Sequence, residues 1–175
     1  MIAHRKRRRV AASITGAKVM GLGLKGALGL VVAATMAAAT PAAAQVVASG
    51  DSIASVLRDR GYQAELTKDS DGDPMIRSGA GGSKFIILFM GCTNNKGCTS
   101  IQFYAGFKSS GSTSVGKMND WNRTKRFARG YIDNDGDPVV EMDIDLDEGG
   151  MSRALFQDNL AVWVAALDAF KKHIG

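Results

Sequence analysis

The sequence predicts an α+β domain in which an antiparallel sheet is covered by helices, in the order helix, four strands, helix, two strands, helix. Three observations carry that expectation. Val140, Met142, Ile144 and Leu146 alternate with Glu141, Asp143, Asp145 and Asp147. This period of two puts four apolar side chains on one strand face and four carboxylates on the other. Asp-x-Asp-Gly-Asp-Pro occurs at 69–74 and again at 133–138, each time between strand-like segments, where Asp and Gly are what tight turns require. Phe156, Leu160, Trp163, Leu167, Phe170 and Ile174 recur at steps of four and three, the apolar stripe of a long closing helix.

Residues 1–44 read as a segment outside this fold. His4 to Arg9 form a basic start, Gly26 to Ala39 an uninterrupted run of small apolar residues, and Ala42-Ala43-Ala44 a small-residue cleavage pattern after Pro41. That combination marks a signal peptide cut between Ala44 and Gln45. The run is too short and too weakly apolar for a spanning helix, which takes about 20 apolar residues. Seven of the 22 basic residues and none of the 17 acidic ones lie before Gln45, so the remaining 131 residues carry 15 basic against 17 acidic side chains, a net of −2. The precursor's basic balance thus belongs to targeting, and a nucleic-acid partner is excluded on charge. A periplasmic or secreted location follows, with one domain at 45–175 and no membrane association after cleavage.

The elements then follow in order. Asp51 or Ser52 is placed to cap a first helix through Ile53, Val56 and Leu57, ended by Gly61. Gln63 to Lys68 is a strand, the first Asp-rich turn follows, and Met75-Ile76-Arg77 begins the return. Ser78 to Ser83, mostly glycine, reads as a loop. Phe85 to Met90 is a continuous apolar run, as in a central strand with both faces covered. Ile101, Phe103, Ala105 and Phe107 alternate in its neighbour. Between these two strands, Cys92 and Cys98 flank a five-residue turn. An exported pair should be oxidised, contributing about 2 kcal/mol across so short a loop. A redox role is disfavoured, because the spacing is not Cys-x-x-Cys and no histidine adjoins. Ser114 caps a second helix through Val115, Met118 and Trp121, and Ser152 caps the last, whose final turn places Lys171, Lys172 and His173 at the favourable end of the dipole.

Candidate functional residues are few. The Asp-rich loops suggest calcium through Asp69, Asp71, Asp73, Asp133, Asp135 and Asp137. A calcium loop of the helix–loop–helix type needs glycine at position six and Glu at twelve. Aligning Gly72 or Gly136 there leaves Thr67 or Tyr131 in the first ligand slot, so the turn reading is favoured and calcium is an alternative. A two-residue turn at Asp135-Gly136 would set Arg126 opposite Asp145, Ala128 opposite Asp143 and Gly130 opposite Glu141. The carboxylate face of Glu141, Asp143, Asp145 and Asp147, with Arg123 and Arg126, is the candidate partner-binding surface; its blander reading is a solvated outer face. In Trp121 to Phe127 the aromatics read as core and the arginines as partners for nearby acids. After Gln45 the sole histidine is His173, so a Ser/His relay or histidine zinc site is hard to assemble. A carboxylate hydrolase is the weaker alternative. No catalytic residue and no cofactor is expected.

Trp121-Asn122, Arg126-Phe127, Tyr131-x-Asp133-x-Asp135-Gly136-Asp137 and the alternating strand to Asp147 together resemble the YbjN family, described as bacterial sensory-transduction regulators. The similarity runs from about Asp51 to the end. It implies a fold similar to class I type III secretion chaperones, which are often dimeric and bind protein segments without ATP; it implies no catalytic residues. The leader and the cysteine pair depart from the family pattern. The expected function is a non-enzymatic, chaperone-like or regulatory module for an unknown protein or peptide, with a second copy of the chain as a candidate partner.

Overall fold

The computed structural model describes residues 45–109, 111 and 113–175. The leader expected at 1–44 lies outside the described residues. Eleven elements follow: β1 (Gln45–Val46), α1 (Gly50–Asp59), β2 (Glu65–Lys68), β3 (Pro74–Ala80), β4 (Ser83–Met90), β5 (Ser100–Gly106), α2 (Val115–Thr124), β6 (Arg129–Ile132), β7 (Pro138–Asp145), β8 (Met151–Ser152) and α3 (Arg153–Ile174). Six strands form one antiparallel sheet in the order β2-β3-β4-β5-β7-β6. The short β1–β8 ribbon carries no sequence signal beyond Gly150, where a Cβ would sit 2.1 Å from the Val46 carbonyl oxygen.

Local chemistry sets the boundaries. Ser114 and Ser152 cap α2 and α3 as expected, their hydroxyls accepting the amides of Lys117 and Leu155. The cap of α1 is Ser49, whose hydroxyl accepts the Ser52 amide at 3.4 Å, and not Asp51 or Ser52. Gly61, at φ +81°, ends that helix, with Tyr62 N–H reaching the Leu57 carbonyl and Gly61 N–H that of Arg58. Strand β3 runs on to Ala80 through residues expected to be loop, because Gly81 and Gly82, at φ +56° and +74°, make the turn by themselves.

All three helices lie on one face of the sheet. The inward row Ile76–Ile87–Phe103–Met142 is fully or almost fully buried. Trp163 of α3 stacks on Phe103 at 5.3 Å and meets Phe85 edge-on at 5.8 Å. Ile53, Val56 and Leu57 of α1 belong to the same core. The Trp163 indole N–H finds no acceptor among the described residues, a local cost of about 1–3 kcal/mol accepted in exchange for the aromatic packing. Among the described residues, the other face carries no helix. Ile86 and Leu88 are only half-buried and Met90 is exposed. The apolar run Phe85–Met90 therefore alternates between core and open face, and β4 is not covered on both sides.

The repeated Asp-rich motif marks two equivalent edge hairpins. Exchanging β2, β3 and β4 with β6, β7 and β5 leaves the strand order unchanged, and each edge strand follows its own helix. In each hairpin the first aspartate bonds the partner carbonyl four residues on, Asp69 to Asp73 and Asp133 to Asp137. Three residues close each turn, the last a glycine at φ +89° or +81°. The two-residue turn expected at Asp135-Gly136 is thereby corrected: Arg129 faces Glu141 and Gly130 faces Val140, one residue out of the expected register, so every side chain changes face.

Strand β6 is locked from α2. The Asn122 amide both donates to the Gly130 carbonyl and accepts the Gly130 N–H, each at 2.9 Å, and the Trp121 indole donates to the Ala128 carbonyl at 3.0 Å. Gly130 itself leaves room for α2 and α3, since a Cβ there would lie 2.8 Å from Phe170, 3.1 Å from Trp121 and 3.3 Å from Met118. Gly130→Ala is expected to lower unfolding free energy by about 1–3 kcal/mol through overpacking. Urea denaturation should show a lower midpoint at unchanged slope; an unchanged midpoint would mean the three side chains yield freely.

Candidate binding surface

The open face of the sheet can be read row by row from the strand register. One row is Met75–Leu88–Gln102–Asp143, the next Arg77–Ile86–Tyr104–Glu141–Arg129, and a shorter one Met90–Ser100–Asp145. Strands β3 and β4 thus contribute Met75, Ile86, Leu88 and Met90, and β7 contributes the acids. A depression of about 200 Å³ lies between Lys84, Ile86, Tyr104 and Gly106, at the end of the β4–β5 seam away from Asp143 and Asp145.

The acidic half is structured by a residue that the expected register misplaced. Arg129 forms an ion pair with Glu141 and lies 4.0 Å from Asp143, whose other oxygen accepts from Gln102 Nε2 at 2.8 Å. Glu141 is only 4% exposed, whereas the Arg129 side chain is 65% exposed. The guanidinium therefore lies over the carboxylate at the surface, and its own proton is held more firmly through the hydrogen bond to Glu141. Burial raises the Tyr131 phenol above its ordinary value, and the neighbouring Glu141 charge adds to this. The Tyr104 phenol is raised by burial too, then by Asp133, Glu141 and Asp137. Both tyrosines stay neutral hydroxyls on the rim of an acidic field.

Of the expected partner-binding residues, Glu141, Asp143 and Asp145 share this face, with Asp143 and Asp145 exposed and Glu141 buried. Asp147 lies past the strand, its backbone N–H bonded to Asp145 and its carboxylate accepting the Glu148 amide. Arg123 and Arg126 belong to the helical layer, away from the strand acids. Arg123 pairs with Asp120 one turn earlier, and Arg126 lies 4.9 Å over the Phe127 ring. Phe127 is not core: it is 65% exposed, at φ +71°. Trp121 is core, as expected. Arg129 and Tyr131 join the acids because of the hairpin register, whereas Gln102 and Tyr104 sit on the polar side of the β5 alternation, and only the pairing of β5 with β7 brings them to Asp143 and Glu141.

The two Asp-rich loops spend their first carboxylates on the backbone. Asp69 accepts the amides of Asp71 and Asp73 at 3.0 and 2.9 Å; Asp133 accepts those of Asp135 and Asp137, both at 2.9 Å. Asp73 accepts from Asn95 Nδ2, and Asp137 from Lys108 and the Ser109 amide. The Lys108 contact, then the Ser109 one, hold the Asp137 carboxyl below its ordinary range. Among the described residues no group of three or more His, Cys, Asp or Glu is placed to hold a metal ion. Cys92 and Cys98 are bonded to each other around a turn in which Asn94 and Asn95 both have positive φ. His173 is tied to the Lys117 carbonyl at 2.8 Å and packs 5.6 Å from Trp121. No helix among the described residues is long and apolar enough to cross a membrane.

Two measurements check this geometry. Arg129→Met leaves the buried Glu141 acceptors without their cation and is expected to destabilise by about 1–3 kcal/mol. Adding Glu141→Gln should restore part of the loss in a double-mutant cycle; additive losses would mean the pair is not coupled. Calcium demands about six to eight oxygens, and among the described residues no group of three carboxylates is gathered to begin such a shell. Millimolar calcium should leave the melting temperature unchanged, and a rise of several degrees abolished by Asp71→Asn and Asp135→Asn would show that the loops ligate it.

Comparison with known proteins gives one result. A family model described as "YbjN: Putative bacterial sensory transduction regulator" matches residues 49–175. No curated protein and no solved structure matches the chain.

Proposed function

The chain belongs to the YbjN family, and from that premise we propose that it is a non-enzymatic, periplasmic regulatory module that captures a protein or peptide segment on the uncovered sheet face. The observation that carries this reading is the division of that face. Half-buried or exposed Met75, Ile86, Leu88 and Met90 adjoin exposed Asp143 and Asp145. With strands about 4.8 Å apart, Asp143 on β7 lies two strands, about 10 Å, from Leu88 on β4. The fitting partner is a segment carrying a lysine or arginine about that far from an apolar side chain. Its apolar part gains by leaving water, and its charge sets orientation and encounter rate.

The periplasmic part of the reading is supported by the leader pattern at 1–44 and the Cys92–Cys98 bond. The non-enzymatic part is supported by the commitments already made by the chemically capable groups: His173 to a carbonyl, and Asp69 and Asp133 to their own turns.

The test is in-cell crosslinking of the tagged protein in the periplasmic fraction, followed by affinity measurement with the species recovered. Asp143→Asn combined with Asp145→Asn is expected to weaken binding several-fold at low salt, less at high salt, at unchanged melting temperature. Leu88→Ser should weaken it independently of salt. Binding indifferent to both sets would remove this face as the site.

A further inference from the structure

The two edges of the sheet are built alike but finished differently. In β6, Asp133 N–H bonds Asp137, so alternation along the ladder turns the backbone groups of Gly130 and Ile132 away from β7. The Gly130 pair is the one that Asn122 takes. In β2, Asp69 N–H bonds Asp73, which by the same alternation turns Leu66 and Lys68 away from β3. Leu66 is therefore the counterpart of Gly130, and the residue standing eight positions before it, as Asn122 stands before Gly130, is Arg58. Its guanidinium reaches only the Ala64 carbonyl, at 2.8 Å. No described group bonds the outward N–H and C=O of Leu66 or Lys68. Leu66 is also 45% exposed, where Gly130 is buried.

From this asymmetry we infer that the β2 edge is a strand-pairing surface whose occupant is the β2 edge of a second copy of this chain, forming one continuous antiparallel sheet across a twofold axis. The occupant follows from the register. Self-pairing must keep residues of one face opposite each other, which allows Leu66 to face Leu66, Lys68 or Ala64 of the second copy. Facing Lys68 puts Glu65 opposite Asp69, and facing Ala64 puts Glu65 opposite Glu65; like charges directly opposite are destabilising. Leu66 opposite Leu66 avoids both. It sets Glu65 opposite Thr67 and Lys68 opposite Ala64, whose carbonyl retains a lone pair beside Arg58. The exposed leucines then cover each other on the helical side, where Leu66 packs against Gly50. Because the axis is perpendicular to the sheet, the two uncovered faces join side by side on one surface.

The experiment is sedimentation equilibrium of the purified protein, with amide hydrogen exchange recorded at high and low concentration. The wild-type protein is expected to dimerise. Lys68→Pro removes an N–H that points away from β3, a position an edge strand tolerates, and should raise the dimer dissociation constant about tenfold or more. Arg58→Asn, which places an amide where Asn122 stands at the other edge, should weaken dimerisation by bonding the outward groups of Leu66 while the β2 sequence stays unchanged. Leu66 and Lys68 amides should gain protection with concentration, while Thr67, bonded to β3, stays protected throughout. A protein monomeric at all concentrations, or a dimer whose constant and Leu66 exchange ignore both variants, overturns the inference; in the monomeric case the edge would be left to a strand from another chain.

Discussion

The clamp of Asn122 on Gly130 is the interaction from which the rest of the architecture follows. An edge strand exposes alternate backbone groups that must be satisfied or left to water. Here one side-chain amide satisfies both groups of one residue, in the manner of a neighbouring strand. That bond fixes the height of α2 along β6, which brings Trp121 within reach of the Ala128 carbonyl and over the Phe170 ring at 5.0 Å. Phe170 belongs to the last turns of α3, so the clamp also fixes where the long helix ends its run across the sheet. Glycine at 130 leaves the room that Phe170, Trp121 and Met118 fill, which ties a backbone hydrogen-bonding problem to a packing solution.

Once α2 and α3 share one face with α1, no described element is left to cover the opposite face. The chemistry of that face shows adaptation to water without surrender to it. Isoleucine and leucine on β4 are shielded by cross-strand neighbours, and Glu141 is buried beneath an arginine that remains hydrated. Removing the arginine would strand the buried Glu141, whereas removing the carboxylate would leave Arg129 in water. Asp143 and Asp145 are left as the uncompensated part of the field, since Arg129 is nearer Glu141 than Asp143.

Much of this was legible in the sequence. The alternation of β7, the heptad-like stripe of α3 and the caps at Ser114 and Ser152 all depend on local chemistry, and local chemistry is what a sequence displays. The same holds for the glycine that ends α1. The misreading of the acidic face has one cause. A single added loop residue in the second hairpin shifts the pairing by one, and with it the identity of the arginine that meets the acids: Arg129, not Arg126. The burial of Glu141 was likewise invisible, because an acid in an alternating strand reads as solvated until the residue across from it is known. Phe127 failed differently. Aromatic residues are usually core, and nothing in its neighbours announces that the chain turns at φ +71° to leave it outside.

The repeated Asp-x-Asp-Gly-Asp-Pro motif shows how a local repeat and a functional asymmetry coexist. Turn chemistry is indifferent to what lies beside a hairpin, so both loops adopt the same bonds from their first aspartate. Edge chemistry is not indifferent, because it depends on the side chain projected by the preceding helix. Asparagine is short and carries a donor and an acceptor, so it can close both groups of one residue; arginine is long and carries donors alone, so it can meet only carbonyls. Arg58 and Asn122 therefore give equivalent hairpins unequal edges. A sheet with one edge clamped at Gly130, one edge without such a clamp and one face that no described element covers has its possible contacts restricted before any partner arrives, and here the difference between the edges rests on the identity of one residue in each helix.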